Sequence, residues 1–483
     1  MMTHRRVGMA GVAVAALAFG AGCGGHDDGA APDAGAAPID VSVLYTYHSR
    51  AGDEDFVDRL TDDQAPSLYA LADGAAAPTL VAQAANHNDG HFRLQPGAGR
   101  AYVGLRNDFV VDAEGRIDFG RSLIGRAETR PARSGTTVEV SGDGLVPWDA
   151  SIDEIEVLGP NSFGFGFYFP DDSGPADEAT TLGPMSIDWS YSGLASAAEG
   201  DELWALQRRY QASDSGSFGN YVAMLHITDV EQIDGVNTLT GTFVAPPSET
   251  LDLDARFGAF ASAAGAVPGG DLESILRVDV RRFAQDDVAD DYDLVTGYGF
   301  APADGVVHLT YGNPFPAEWP ETVTVGIQTS RSYQLPGTMY GDPAVAQLKI
   351  TVPRDSASAG PIVPLVGPVG ALQLGGQEVR DTPSVGETPV VSWTAPTLGT
   401  PDGYVVELRV LTPYDDFTFD DLVARFHTTS TSFALVPGLL EPDKVYLLRV
   451  TALAGEAIDV LHVPLRVPPS YASAEVVSGP FTR

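Results

Sequence analysis

The strongest constraint on this chain is alternation. Phe163, Phe165, Phe167 and Phe169 alternate with Gly164, Gly166 and Tyr168, and period-two or β-branched runs recur over 136–140, 238–244, 275–283, 322–327, 348–352 and 445–453. An extended backbone sends successive side chains to opposite faces, so a period of two marks strands. Val41-Ser42-Val43-Leu44-Tyr45 opens the first strand, and turn residues separate the runs at short intervals, the spacing of β-sandwiches. Helical periodicity is confined to one short helix over 254–264 and a turn or two over 54–60. The expected fold is all-β, several β-sandwich domains in series, with the aromatic residues of the strands placed in their cores.

Charge narrows the function. Acidic residues number 65 against 28 Lys and Arg, for a formal net charge of −37, and the lysines are Lys349 and Lys444. Nucleic-acid binding needs a basic face that releases counterions, and no basic run occurs outside the extreme N-terminus. The same deficit argues against docking on anionic lipid.

The N-terminus has a separate logic. Arg5 and Arg6 precede an uncharged, mostly apolar run from Val7 to Ala21, short for a membrane span and suited to a signal-peptide core. Gly20-Ala21-Gly22-Cys23 follows, holding the one cysteine. This resembles the lipobox of bacterial lipoproteins, with Gly20 where Leu is usual. The resemblance implies cleavage after residue 22, acylation of Cys23 and an exported protein held to a membrane of the cell envelope. Gly24, by resemblance to lipoprotein sorting, points to the outer membrane. Residues 24–38 lack large apolar side chains and are expected to form a flexible tether.

Two stretches resemble known modules. Val391-Ser392-Trp393-Thr394-Ala395-Pro396, then Gly403-Tyr404-Val405-Val406-Glu407-Leu408, then Leu440-Glu441-Pro442-Asp443-Lys444-Val445-Tyr446 resemble a fibronectin type III domain, an immunoglobulin-like sandwich. The resemblance implies Trp393 between two sheets and Tyr446 in a tyrosine corner. Alternation then sends Leu448, Val450 and Ala452 inward and Arg449 and Thr451 outward. Pro464 and Pro468 predict a short or kinked last strand. Asp89-Gly90-His91-Phe92-Arg93-Leu94-Gln95-Pro96-Gly97 with Tyr102 and Leu105 resembles carboxypeptidase regulatory-like, or transthyretin-like, sandwiches, which are not catalytic. The expected organisation is signal peptide 1–22, tether 23–38, regulatory-like sandwich 39–135, β-rich region 136–355 of one large sandwich or two small ones, linker 356–363, fibronectin type III domain 364–470 and tail 471–483.

Most catalytic signatures are missing. No lysine sits in a phosphate-binding loop, and Ala346 and Glu441 stand where Ser-x-x-Lys would need serine. His-Glu-x-x-His and Gly-x-Ser-x-Gly do not occur. His87 and His91 flank Asp89, a spacing open to zinc or copper, but Asp89-Gly90 reads first as a turn. Asp286, Asp287, Asp290, Asp291 and Asp293 crowd one loop, a set of hard oxygens open to weak Ca²⁺ binding or to plain solvation. Trp189, Trp204, Trp319 and Tyr311 could stack on sugars, with core packing the better assignment. The reading is therefore of a non-catalytic scaffold or binding protein without a cofactor, its partners a membrane and a protein or polysaccharide ligand. The competing reading is an envelope polysaccharide hydrolase with paired carboxylates in the middle region.

Overall fold

The computed structural model describes residues 37–49, 52–57, 60–61, 64–85, 89–168, 174–213, 216–264, 270–281, 292–298, 304–379 and 384–483. Cys23 and the tether through residue 36 lie outside them, as do His87, Phe169 and Asp286 to Asp291.

The N-terminal module contains β1 (Ile39–Ser42), β2 (Leu44–Ser49), β3 (Gly52–Val57), β4 (Ser67–Leu71), β5 (Thr79–Gln83), β6 (His91–Leu94), β7 (Arg100–Leu105), β8 (Asp108–Val111), β9 (Arg116–Asp118) and β10 (Ser122–Ile124). A sheet ordered β6-β1-β9 shares a core with β5-β4-β7-β8: Ile39, Val41, Phe92, Leu94 and Ile117 meet Leu68, Val103, Leu105 and Val110. The helical turn expected over 54–60 is instead strand β3, because 52–57 pairs along β2 from Gly52 opposite Ser49 to Val57 opposite Leu44.

The middle region divides into two sandwiches that share a strand. The first holds β11 (Thr137–Asp143), β12 (Asp153–Gly159), β13 (Gly164–Tyr168), β14 (Thr181–Asp188), β15 (Leu203–Ser213), β16 (Gly216–Ile227) and β17 (Val236–Thr242). Sheet β14-β11-β17 covers β13-β12-β15-β16 across a core of Val138, Val140, Trp148, Ile155, Val157, Trp189 and Leu239. The second holds β18 (Ser248–Ala255), α1 (Phe257–Ala263), β19 (Asp271–Val280), β20 (Tyr292–Tyr298), β21 (Gly305–Gly312), β22 (Glu321–Ser332), β23 (Tyr340–Gly341), β24 (Pro343–Pro353) and α2 (Arg354–Ala357). Strand β16 pairs with β15 on one side and β20 on the other, so one sheet runs through both.

The C-terminal sandwich holds β25 (Gly370–Leu374), β26 (Gln377–Glu378), β27 (Val390–Thr394), β28 (Gly403–Tyr414), β29 (Phe417–Thr428), β30 (Ser432–Ala434), β31 (Val445–Ala454), β32 (Tyr471–Val477) and β33 (Phe481–Thr482). Sheet β26-β25-β27-β30 faces β29-β28-β31-β32, the strand arrangement of a fibronectin type III-like, immunoglobulin-like sandwich. Trp393 meets Tyr404 edge-on at 5.2 Å and Phe433 at 6.3 Å. The Tyr446 hydroxyl accepts a hydrogen bond from the Glu441 N–H at 2.7 Å, the corner expected of it.

Three expectations about boundaries change. The last strand, β32, begins after Pro464 and Pro468, which lie in the connection before it; proline cannot donate to a ladder, so the strand starts where the prolines stop. Residues 471–483 are no tail, for Val477 and Phe481 are buried and Phe481 stacks on Tyr446 at 5.7 Å. The stretch 356–363 is no free linker either. Ala357 is fully buried, and the Ile362 N–H donates to the Asp254 carbonyl at 2.8 Å, small side chains allowing that close approach.

The modules are joined through strand edges. Strand β24 of the middle region pairs antiparallel with β32, from Leu348 opposite Ala474 to Thr351 opposite Tyr471. Strand β8 of the N-terminal module pairs in parallel with β29, Phe109 opposite Phe426, and their rings stack at 5.1 Å. A bare strand edge offers unpaired backbone groups to any other chain, and these pairings remove it at both edges of the β29-β28-β31-β32 sheet. All four sandwiches are thereby linked by one hydrogen-bonded sheet.

Candidate functional site: a buried carboxylate cluster

Strand β12 reads Asp153-Glu154-Ile155-Glu156-Val157. Ile155 and Val157 enter the first sandwich's core, which by alternation puts Glu154 and Glu156 on the sheet's other face. There they are 5% and 7% exposed. Arg208 lies directly opposite Glu154 on β15. Its Nη1 donates to Glu156 Oε1 at 2.8 Å, and its Nε sits 3.9 Å from Glu154 Oε1. Nη2 reaches past β16 and donates to Thr296 Oγ1 on β20 at 2.7 Å. The Tyr210 hydroxyl donates to Glu154 at 2.9 Å, and the Tyr221 hydroxyl to Glu156 at 2.7 Å. The guanidinium also sits 5.4 Å and 5.8 Å from the centroids of those two rings.

Gly219 makes the crossing over β16 geometrically feasible. A Cβ there would stand 2.8 Å from the Tyr210 ring and 2.9 Å from Arg208 Nε. On the far side, Arg277 pairs with Asp293 and, at 3.0 Å, with Asp279, while Thr296 donates to Asp293 at 2.9 Å. Charged and hydroxyl groups thus link β12, β15, β20 and β19, buried at the β12–β15 end and half-buried at Arg277 and Asp293.

Electrostatics follow from the count of charges. Burial, then the adjacent Glu156 charge, pushes Glu154 up to about 7. Burial also raises Tyr221 well above its ordinary value, so it remains a phenol and a donor. For Asp293 burial acts upward too, but a hydrogen bond from Asp279 and the charge of Arg277 outweigh it and hold the carboxyl low. The cluster can store a proton on the Glu154–Glu156 pair near neutral pH. It presents no exposed nucleophile beside a base.

No family model matches the chain, and no curated protein does. Among solved structures the chain is similar to the FN1–FN3 domains of chicken CNTN1, at 10% identity over 74% of this chain and 98% of that one, with a TM-score of 0.13. A Salmonella alpha-2-macroglobulin mutant matches at 11% identity over 86% of this chain and 28% of that one, with a TM-score of 0.11. Overlaps this small carry no argument, and the assignment of the C-terminal sandwich stands on its strand order.

The residues singled out by sequence are scattered. His91 is exposed on β6, and its proposed metal partner His87 lies outside the described residues. Of the acidic loop only Asp293 is described, and Arg277 and Thr296 occupy it, so the calcium expectation falls on residues outside the description. Among the described residues no three His, Cys, Asp or Glu side chains are grouped to hold a metal, and no helix is long and apolar enough to cross a membrane. Trp189, Trp204, Trp319 and Tyr311 are all buried.

The phenylalanine run departs from expectation. Phe165 and Phe167 are 52% and 41% exposed, and Gly164 and Gly166, which alternate with them, are buried. The indole of Trp189 fills the space beside them, 2.3 Å from where a Gly164 Cβ would be. Sequence reasoning missed Glu154, Glu156 and Arg208. Their signal, two acids alternating with two aliphatics, was present but indistinct among 65 acids.

Proposed function

We propose that this chain is an exported lipoprotein, anchored to the bacterial outer membrane through acylated Cys23, that serves as a non-catalytic scaffold or binding protein of the cell envelope. The observation that carries this reading is the edge-to-edge pairing of β24 with β32 and β8 with β29. Sandwiches whose edges are consumed by each other form a stiff presenting surface in place of independently mobile domains. The sealed state of the Glu154–Arg208–Glu156 cluster adds to it, since each carboxylate already has a tyrosine and a guanidinium as partners.

The test has two arms. Cys23→Ser should move the protein from the membrane to the soluble fraction and remove the acyl mass from the intact chain; recovery of wild-type protein with unmodified Cys23 in a membrane-free fraction contradicts the anchor. One observation favours the second reading, a polysaccharide hydrolase: a carboxyl pushed up to about 7 beside a second carboxyl is the electrostatic pattern of an acid–base pair. Saturable turnover on an envelope polysaccharide panel that Glu154→Gln abolishes would establish the hydrolase and end the scaffold reading.

A further inference from the structure

Strands β28 and β29 meet in a two-residue turn, Asp415-Asp416, with Tyr414 directly opposite Phe417. Alternation puts Phe419 and then Asp421 on the same face as Phe417. Tyr340 on β23 lies opposite Phe417 on its other side. The four rings touch in series: Tyr340 and Phe417 at 5.1 Å, Phe417 and Phe419 at 6.1 Å, Phe419 and Tyr414 at 6.1 Å. Tyr340 and Tyr414 are 55% and 58% exposed, and Phe419 and Met339 are exposed beside them.

These rings are held in place while facing solvent. The Met339 and Tyr340 N–H groups both donate to the Asp416 carbonyl, at 2.7 and 2.9 Å, and Gln334 Nε2 donates to the Met339 carbonyl at 2.7 Å. The buried Thr418 hydroxyl, on the opposite face from Phe417 and Phe419, accepts the Leu335 N–H at 3.0 Å and lies 2.8 Å from the Thr338 hydroxyl. A contiguous exposed apolar patch marks a contact surface, and rings already fixed lose little freedom on binding. Carboxylates rim the patch. Asp420, on the other face, is taken by Arg409 at 2.9 Å, whereas Asp415, Asp416 and Asp421 are exposed and form no ion pair among the described residues.

Charge selects what covers the rings. A second copy would bring the same carboxylates against them, and an anionic lipid surface or a nucleic acid would bring phosphates. A planar cation satisfies both features, since a guanidinium lies flat on an aromatic ring and forks to a carboxylate beside it. The protein already uses this combination internally, where Arg208 sits over Tyr210 and Tyr221 and donates to Glu156. We propose that this tip docks a partner polypeptide through arginine side chains, their guanidiniums laid on Tyr340, Tyr414 and Phe419 and paired to Asp415, Asp416 and Asp421. The surface is separate from Cys23 and from the Glu154 cluster, so its success or failure is read independently of the anchor.

Fluorescence anisotropy of two labelled peptides titrated with the full chain at physiological salt tests it, one of alternating arginine and glycine, the other its lysine counterpart. The arginine peptide should bind at least about threefold more tightly, because an ammonium pairs with the acids but does not lie flat on the rings. The double variant Tyr414→Ser, Phe419→Ser changes two exposed side chains, and should weaken the arginine peptide roughly tenfold and bring the two peptides level. Asp229→Asn removes an exposed acid of the first middle sandwich and should leave both affinities within about twofold. Equal affinity for the two peptides, a double variant that binds as wild type does, an equal loss in Asp229→Asn, or no binding of the arginine peptide would each overturn the proposal. So would a dimer of the full chain that the double variant dissolves, which assigns the tip to a second copy, or binding to phosphatidylcholine vesicles lost in that variant, which assigns it to a membrane.

Discussion

Two networks of buried charge, one around Glu407 and one around Glu154, answer burial at those two residues in opposite directions. On the outer face of the C-terminal sandwich, Asp108, Arg425, Glu407 and Arg449 alternate in sign across β8, β29, β28 and β31, with separations of 3.4, 3.3 and 3.3 Å. Arg409 joins Glu407 at 3.0 Å and Asp420 at 2.9 Å. Burial pushes Glu407 up, but Arg449, Arg425 and Arg409 together outweigh it and hold it below its ordinary value. In the middle region Glu154 and Glu156 share Arg208, and there burial and the like charge win. Both groups sit on the same continuous sheet. What separates the two glutamates is how many guanidiniums each one meets: three around Glu407 keep it ionised, while the single Arg208 shared with Glu156 leaves a proton on Glu154.

The largest break in that comparison comes from removing Arg208. Arg208→Met leaves Glu156 and Glu154 buried without a cation, and urea unfolding of the full chain should show a loss of about 3–5 kcal/mol at neutral pH. A loss no larger than that of a surface pair would mean that the cluster is hydrated. Gly219→Ala should come next. Its methyl would displace the Tyr210 ring or the guanidinium, at a cost of about 1–3 kcal/mol in the same measurement. The smallest effect belongs to the balanced network. Arg449→Met leaves Glu407 with Arg409 and Arg425, and should cost about 1 kcal/mol or less.

The balanced network was more legible in sequence than the unbalanced one. Tyr446 inward fixes Arg449 outward by alternation, and Trp393 and Tyr404 fix the sandwich around them, so the face carrying Glu407 and Arg449 could be drawn from the C-terminal run. The inward row of Leu448, Val450 and Ala452 is buried as alternation requires. Leu447 and Leu453 depart from this, both buried on the outer face, and Tyr333 and Ala346 of the middle region cover the Leu447 end. Contacts between modules leave no period in the sequence, which is why 356–363 reads as a linker and 471–483 as a tail. The phenylalanine run failed for a related reason. Alternation says that two faces differ, and which one is inner depends on what the opposing sheet brings, here Trp189. The cluster at Glu154 joins residues more than 50 positions apart, and only the pairing of β12 with β15, and of β15 with β20 through β16, brings them together.

The Glu154–Glu156 pair holds a proton within the structure near neutral pH, and pH isolates it. Glu154 titrates at about 7 in the folded chain against an ordinary 4.5. The native state therefore binds the proton more tightly than the unfolded one. Its contribution to stability is fully present below about 4.5 and is lost as pH rises through about 7. Glu407, held low, contributes in the reverse sense, its stabilisation disappearing only as pH falls below its ordinary 4.5. Glu154→Gln keeps an acceptor for Tyr210 and removes the titration. Urea unfolding of wild type and Glu154→Gln from about pH 5 to about pH 8 should show the variant gaining on the wild type as pH rises, by up to about 1.4 kcal/mol per unit within that window. Parallel stability curves across the range would contradict the account.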